Sequence, residues 1–231
     1  MKKVIAFAPE FNTLGKRDAT GAFRPDAERY LKLHTFPMTP WLFDNRKGDA
    51  TRRKTVLSVL QRQSLIVDQN LDAVAFFCHG SKDHIQAGFH IRNLGELARA
   101  LSDVASYRDN LIVTLYACDA ARDLDKDRLD DLKEFGGDGG FADELRDALC
   151  RAGQIHCRVD AHTTAGDDDQ NPNVRRFEGN GSPVGCVGGH YIIPRGSRLW
   201  KRWFKAVRTT DFRWRFPFMT DLEIVAYLES V

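Results

Sequence analysis

The sequence predicts an α/β fold in which a mostly parallel β-sheet is covered by helices on both faces. Short apolar segments alternate along the chain with longer segments in which apolar residues recur every three to four positions. The short segments are apolar at consecutive positions, as is typical of strands buried on both faces of a parallel sheet. Strands are predicted at residues 3–8, 72–78, 111–117 and 155–161, and helices at residues 25–33, 52–63, 94–104 and 142–152.

The first three predicted strands have sharp boundaries. Residues 3–8 are closed by Pro9, and residues 72–78 stop at His79 and Gly80. Residues 111–117 form the strongest candidate because β-branched residues are concentrated there. These features predict central strands of one sheet.

The predicted helices follow from the spacing of their apolar residues. In residues 142–152, positions i, i+3, i+4 and i+7 are occupied by Leu145, Ala148, Leu149 and Ala152. Gly153 then supplies a helix stop, since glycine adopts positive φ without steric cost. The apolar segment at 155–161 follows directly, so that strand and helix keep alternating.

Composition limits the classes of protein that this chain can represent. The 231 residues include 42% hydrophobic and 29% charged residues, which predicts one domain at 1–195 with a basic, aromatic extension at 196–231 packed on it. No run of about eighteen uncharged residues exists, which excludes a membrane span, and the apolar start at 4–8 is too short for a secretory signal. We therefore expect a cytoplasmic protein. The net charge of +2 makes nucleic acid an unlikely partner.

The cysteine pattern argues against two further classes. Five cysteines form an odd set without a CxxC pair, which disfavours a disulfide framework and a cysteine-rich zinc module. His79, His84 and His90 do not follow a known metal-ligand spacing, so neither a metal nor another cofactor is expected. At least one thiol is therefore available for other chemistry.

Two predicted strands end in residues that can carry out acyl transfer. His79 follows the strand at 72–78, and Cys118 follows the strand at 111–117, 39 residues later. Neighbouring strands lie about 5 Å apart, so the imidazole and the thiol would face each other. An imidazole can accept the thiol proton and later protonate a leaving amine. The N–H groups of Gly80 and Cys118 could together stabilise an oxyanion.

The pattern resembles the caspase-like cysteine peptidases of clan CD, which include caspases, metacaspases, clostripain-like enzymes and bacterial CHAT domains. In that family an apolar strand ends in His-Gly and the next ends in Ala-Cys, as in His79-Gly80 and Ala117-Cys118. The resemblance covers residues 1–195 and implies a caspase-like α/β fold. It also implies a protease in which Cys118 is the nucleophile and His79 the acid and base.

The same resemblance suggests substrate-binding residues. His162-Thr-Thr-Ala-Gly166 followed by Arg175 and Arg176 is similar to the caspase segment that carries a substrate-binding arginine, and Arg17 is similar to a second such arginine. Tyr116 stands where caspases place glutamine, so the preferred side chain at the scissile bond stays open. The substrate-binding candidates are Arg17, Tyr116, Asp119, His162, Arg175 and Arg176.

Structural roles remain alternatives for each of these residues. A cysteine or a histidine at a strand end is often part of the core, as we expect for Cys78 and Cys150. His162 would also suit a structural turn, and the two adjacent arginines would also suit a solvated basic pair.

Two functions from different classes follow. The first is a cysteine endopeptidase that acts on protein or peptide substrates through an acyl-enzyme. The second is a catalytically inactive relative that holds a protein, nucleic acid or membrane surface through its C-terminal segment. That segment interleaves basic residues with tryptophans at Trp200, Trp203 and Trp214. Such aromatics also commonly pack a terminal helix onto a domain.

Overall fold

A seven-stranded sheet forms the centre of the computed structural model, which describes residues 2–11, 20–34, 39–66, 70–105, 110–124, 139–165, 171–184 and 188–231. In chain order the strands are β1 (Val4–Pro9), β2 (Trp41–Phe43), β3 (Ala73–Phe77), β4 (His84–Ile85), β5 (Phe89–His90), β6 (Ile112–Tyr116), β7 (Arg158–His162), β8 (Val174–Glu178) and β9 (His190–Tyr191). The helices are α1 (Thr20–Lys32), α2 (Asp49–Ser64), α3 (Leu94–Val104), α4 (Phe141–Arg151), α5 (Trp200–Ala206), α6 (Thr210–Arg215) and α7 (Asp221–Ser230).

The strand order across the sheet is β2-β1-β3-β6-β7-β8-β9, and β4 and β5 form a separate two-stranded sheet. The first five strands in this order are parallel, whereas β8 and β9 are antiparallel to their neighbours. The predicted α/β class with a mostly parallel sheet is therefore confirmed, and the arrangement is consistent with a caspase-like fold.

Helices cover both faces of the sheet, as predicted. On one face, Val74 and Phe76 of β3 join a core with residues of α2, α3 and α4. On the other face, Ala75 and Phe77 pack against α1 and against Trp214 of α6. The alternation along β3 explains why this strand is apolar at every position, since successive side chains enter two different cores.

Helix α3 spans the predicted residues, and the other predicted helices and strands differ at their ends. The largest difference is in α1, which begins at Thr20 rather than at Pro25. Proline favours the first turn of a helix, which biased the prediction toward a later start.

Strands β2, β8 and β9 and the β4–β5 hairpin lack a sequence signal. Three of these strands have only two residues, and β2 has three. In β8, Arg175 and Arg176 interrupt the apolar pattern. Long-range ion pairs with Asp123 and Asp160 balance the charges of the two arginines, and a local pattern does not reveal such pairs.

The C-terminal segment packs against the sheet and the residues that follow it. Helices α5, α6 and α7 share a core with residues that follow β9, and Trp203 is fully buried there. Trp214 points instead to the sheet, where it contacts the rings of Tyr30, Phe77 and Tyr116. Within the described residues, no helix is both long enough and apolar enough to cross a membrane.

A buried arginine joins this segment to the sheet. The fully buried Arg176 donates two hydrogen bonds to the carboxylate of Asp160, at 2.9 and 3.0 Å. Its other three N–H groups donate to the carboxylate of Asp221 and to the carbonyls of Phe216 and Met219. All five donors of the guanidinium are thus used within the protein. The predicted substrate-binding role of Arg176 is wrong, because no donor is left for a ligand.

His190 extends this network on the side of α7. Its Nε2 atom lies 2.6 Å from Oδ2 of Asp221. This hydrogen bond raises the pKa of His190 above its ordinary value of 6.5, against an opposing effect of burial. Protonated His190 therefore stabilises the folded state.

We expect the stabilisation by His190 to depend on pH. Because the folded-state pKa lies above that of the unfolded chain, the contribution is present below about pH 6.5 and is lost as the pH rises through the folded-state value. His190→Ala should therefore lower the free energy of unfolding more at pH 5.5 than at pH 8.5. Urea unfolding of both chains at the two pH values measures this difference, with His156→Ala, an exposed imidazole, as the control. An equal loss at both pH values would contradict the assigned ion pair.

Candidate active site

His79 and Cys118 are neighbours at the carboxyl ends of two paired strands. In the parallel pairing of β3 with β6, Phe77 lies opposite Tyr116. The pairing continues one residue further, since the Cys78 N–H donates to the Tyr116 carbonyl at 3.3 Å. The same register places Cys118 beside His79.

Both residues belong to the α1 face of the sheet. The intervening residues Cys78 and Ala117 are buried in the core on the opposite face. Alternation therefore returns His79 and Cys118 to the face that carries Phe77 and Tyr116. The side chain of His79 confirms this placement, because its ring meets Phe23 of α1 edge-on at a centroid distance of 5.0 Å.

Gly80 allows the two strand ends to approach closely. A Cβ atom at this position would lie 2.8 Å from Cβ of Ala117 and 2.9 Å from the carbonyl oxygen of Cys118. A larger residue would therefore push the loops that carry His79 and Cys118 apart. Among the described residues, no backbone acceptor binds the N–H of Gly80 or of Cys118. The oxyanion role predicted for these two amides therefore does not compete with a backbone hydrogen bond among the described residues.

Exposure separates Cys118 from the other three cysteines that the structure describes. Cys118 and His79 are both half-buried, whereas Cys78, Cys150 and Cys157 are buried. The burial of Cys78 and Cys150 agrees with the packing roles expected for them. Burial raises the pKa of the Cys78 thiol to about 12, which keeps it protonated and unreactive. Of the four described cysteines, Cys118 alone combines exposure with a neighbouring imidazole.

A tight turn follows Cys118 and fixes its position. Asp119 has a φ of 57°, in the left-handed region that residues other than glycine rarely adopt. The Ala121 N–H donates to the carbonyl of His162 at 2.9 Å, and the carbonyl of Ala120 accepts from the Ala142 N–H at 2.9 Å. The turn is therefore attached to β7 on one side and to α4 on the other.

The carboxylate of Asp119 faces a residue of the same turn. Arg122 Nη1 lies 3.2 Å from Asp119 Oδ1, and both side chains are partly exposed. Asp119 thus stabilises the turn that holds Cys118.

Tyr116 and His162 form the wall of the site below Cys118. The hydroxyl of Tyr116 donates to the backbone carbonyl of Arg213 at 3.2 Å, and its ring centroid lies 6.1 Å from that of His162. Burial, with a smaller effect of the Arg213 charge, lowers the pKa of His162 to about 3, so this imidazole is neutral. Its Nδ1 atom is buried without a hydrogen-bond partner among the described residues. His162 can thus bind a ligand only as a neutral donor or acceptor.

The two adjacent arginines point to opposite faces of β8 and are both buried. The side chain of Arg175 is only 5% exposed, and Nη1 lies 3.6 Å from Oδ1 of Asp123 in the turn after Cys118. Its guanidinium also lies 4.7 Å from the ring centroid of Tyr191. Neither arginine is solvated, so the alternative of a solvated basic pair is wrong. Arg17 and Gly166 lie outside the described residues.

Several residues on the α1 side of the site were not predicted from the sequence. Asp26 of α1 is buried and pairs with Arg29 at 3.1 Å and with Arg213 at 3.4 Å. Phe23 contacts His79 directly, as described above. The predicted strands are apolar at consecutive positions, so apolar residues have to cover the second face of the sheet as well as the first. Trp214 and Phe218, together with the aromatic residues of a longer α1, supply that cover.

The described residues offer no metal site. No group of three or more histidine, cysteine and acidic side chains in these parts of the chain could hold a metal ion. His84 and His90 instead stack at a centroid distance of 5.2 Å, and Nε2 of His90 lies 2.8 Å from Asp49.

Comparison with known proteins gives no relative of this chain: no protein-family model, no curated protein and no solved structure matches it.

Gly80→Ala should disturb the site directly. The added methyl would overlap Ala117 and Cys118, and overpacking of this kind typically costs about 1–3 kcal/mol. We expect a lower melting temperature and a slower reaction of Cys118 with iodoacetamide. Gly95→Ala is the matched control, because a Cβ at Gly95 meets nothing within 4 Å. If both variants behave alike, the close approach at Gly80 does not shape the site.

Proposed function

We propose that the protein is a cysteine endopeptidase of the caspase-like type, with Cys118 as nucleophile and His79 as general acid and base. The observation that carries the proposal is the register of β3 and β6, which brings a half-buried histidine and a half-buried cysteine to adjacent strand ends. The two available amides beside them support the same chemistry. A reactive thiol has to stay reduced, which fits the cytoplasmic location expected from the sequence.

The reaction proceeds through an acyl-enzyme. His79 accepts the proton of the Cys118 thiol, and the sulfur attacks the carbonyl carbon of the scissile peptide bond. The N–H groups of Gly80 and Cys118 bind the resulting oxyanion. His79 then protonates the leaving amine, and the C–N bond breaks. Water hydrolyses the thioester in the second half of the reaction and restores the thiol.

The turn after Cys118 supports this mechanism by holding the second amide in place. An oxyanion site is effective when its donors need no rearrangement during the reaction. The hydrogen bonds from the turn to β7 and α4 provide such a fixed backbone. Phe23 packs against the ring of His79 and restricts its orientation.

A specific observation favours the second candidate function, binding of an acidic protein partner at the C-terminal segment. Lys201, Lys205 and Arg208 are exposed on and just after α5, and none forms an ion pair with a described residue. The fully buried Trp203 anchors this helix, and its Nε1 donates to the Pro172 carbonyl at 2.7 Å. The stripe of positive charge is therefore held in one orientation.

A peptide-library assay tests the endopeptidase proposal. We expect the native chain to cleave peptides, Cys118→Ala to be inactive, and His79→Ala to lose about 10²–10⁴-fold in kcat/KM, as for removal of a general acid or base. His156→Ala removes an exposed imidazole near the amino end of β7 and should leave kcat/KM unchanged. The cleaved sequences also give the preferred side chain at the scissile bond.

Two outcomes would contradict the proposal. Equal cleavage by native protein and Cys118→Ala would assign the activity to another residue or to a contaminant. A folded native chain that cleaves no peptide, but binds an acidic peptide in a manner lost in Lys201→Glu/Lys205→Glu, would favour the binding function.

A further inference from the structure

We propose that Cys150 and Cys157 form a site of reversible oxidation, at which a hydroperoxide converts the two thiols into a disulfide. Cys150 lies in the last turn of α4, and Cys157 directly precedes β7. Their Sγ atoms are 3.9 Å apart, and both residues are buried. This pair is not part of the candidate active site, and the inference does not depend on the proposed function.

The backbone between the two cysteines is well defined by hydrogen bonds. Gly153 has a φ of 98°, and its N–H donates to the carbonyl of Cys150 at 3.1 Å. The Gln154 N–H donates to Leu149 at 2.9 Å, and the Cys157 N–H donates to Gln154 at 3.0 Å. The chain therefore reverses in a compact turn that fixes the approach of the two thiols.

The surrounding atoms keep the sulfurs close to each other. A Cβ atom at Gly179 would lie 3.0 Å from Sγ of Cys150, so only glycine leaves this sulfur its space. Sγ of Cys157 lies 3.8 Å from the backbone carbonyl of Arg146. A disulfide requires an S–S distance of about 2.0 Å, which the confined pair reaches by a small displacement.

The proposed reaction consumes one hydroperoxide for each disulfide. One thiolate attacks the peroxide O–O bond, becomes a sulfenic acid and releases hydroxide, which is protonated to water. The second thiol attacks the sulfenic sulfur, so that the S–S bond forms and a second water leaves. With hydrogen peroxide, two thiols and one peroxide give one disulfide and two waters. The sulfurs are oxidised and the peroxide oxygens are reduced.

The oxidised pair would join the end of α4 to the start of β7. This connection lies at the amino end of β7, whereas the candidate active site lies at the carboxyl ends of the parallel strands. Because the pair is buried, peroxide reaches it through local opening of the helix end, which makes oxidation slow compared with that of an exposed thiol. A closed loop of this kind stabilises the folded state and leaves the site intact.

Mass spectrometry after a pulse of hydrogen peroxide tests the inference. Trypsin cleavage after Arg146, Arg151 and Arg158 separates the two cysteines into peptides 147–151 and 152–158. The protein is oxidised in its folded state, alkylated with N-ethylmaleimide and digested without reductant. Cys118→Ala is treated in parallel to remove reactions that begin at the half-buried Cys118 thiol. Cys150→Ser and Cys157→Ser are the negative controls.

We expect peptides 147–151 and 152–158 to be linked in the native chain and in Cys118→Ala, and the link to disappear with dithiothreitol. The oxidised protein should melt about 5 °C higher than the reduced protein, and this shift should be absent in Cys157→Ser. If the two peptides are recovered only in separately alkylated or overoxidised form, the inference is wrong. It is also wrong if the link forms only after unfolding in urea.

Discussion

The parallel pairing of β3 with β6 is the interaction on which the candidate site depends. Side chains alternate along a strand, so a shift of one residue in this pairing would move one of the two reactive groups to the opposite face. The shift is disfavoured because Val74 and Phe76 enter one core while Ala75 and Phe77 enter the other. The packing of the two hydrophobic cores thus fixes the strand register that places His79 beside Cys118.

The C-terminal segment also packs against β3 and β6, on the α1 face of the sheet. Trp214 covers Phe77 and Tyr116, and the Tyr116 hydroxyl binds the backbone of Arg213. Burial of Arg176 would be costly without full compensation, and its five hydrogen bonds supply that compensation through residues of β7 and the C-terminal segment. The wall of the site is therefore built from parts of the chain far apart in sequence.

The features of the fold that depend on local patterns could be predicted from the sequence. Apolar runs marked β1, β3, β6 and β7, and the residues directly after β3 and β6 pointed to a common edge of the sheet. Long-range pairing could not be predicted in this way. The buried ion pairs of Arg176 had no local signal, because its partners Asp160 and Asp221 are 16 and 45 residues away. Phe23 was missed because the helix was predicted to start after it.

The pH dependence of Cys118 alkylation tests most directly whether His79 acts on this thiol. Iodoacetamide reacts with the thiolate, and mapping the modified peptide separates Cys118 from the other cysteines. An imidazole that accepts the thiol proton should make Cys118 react at least about tenfold faster at pH 7 in the native chain than in His79→Ala. The two profiles should converge at high pH, where the thiol ionises unaided. Superimposable profiles from pH 6 to 9 would show that His79 does not act on Cys118, and the account of the site would fail.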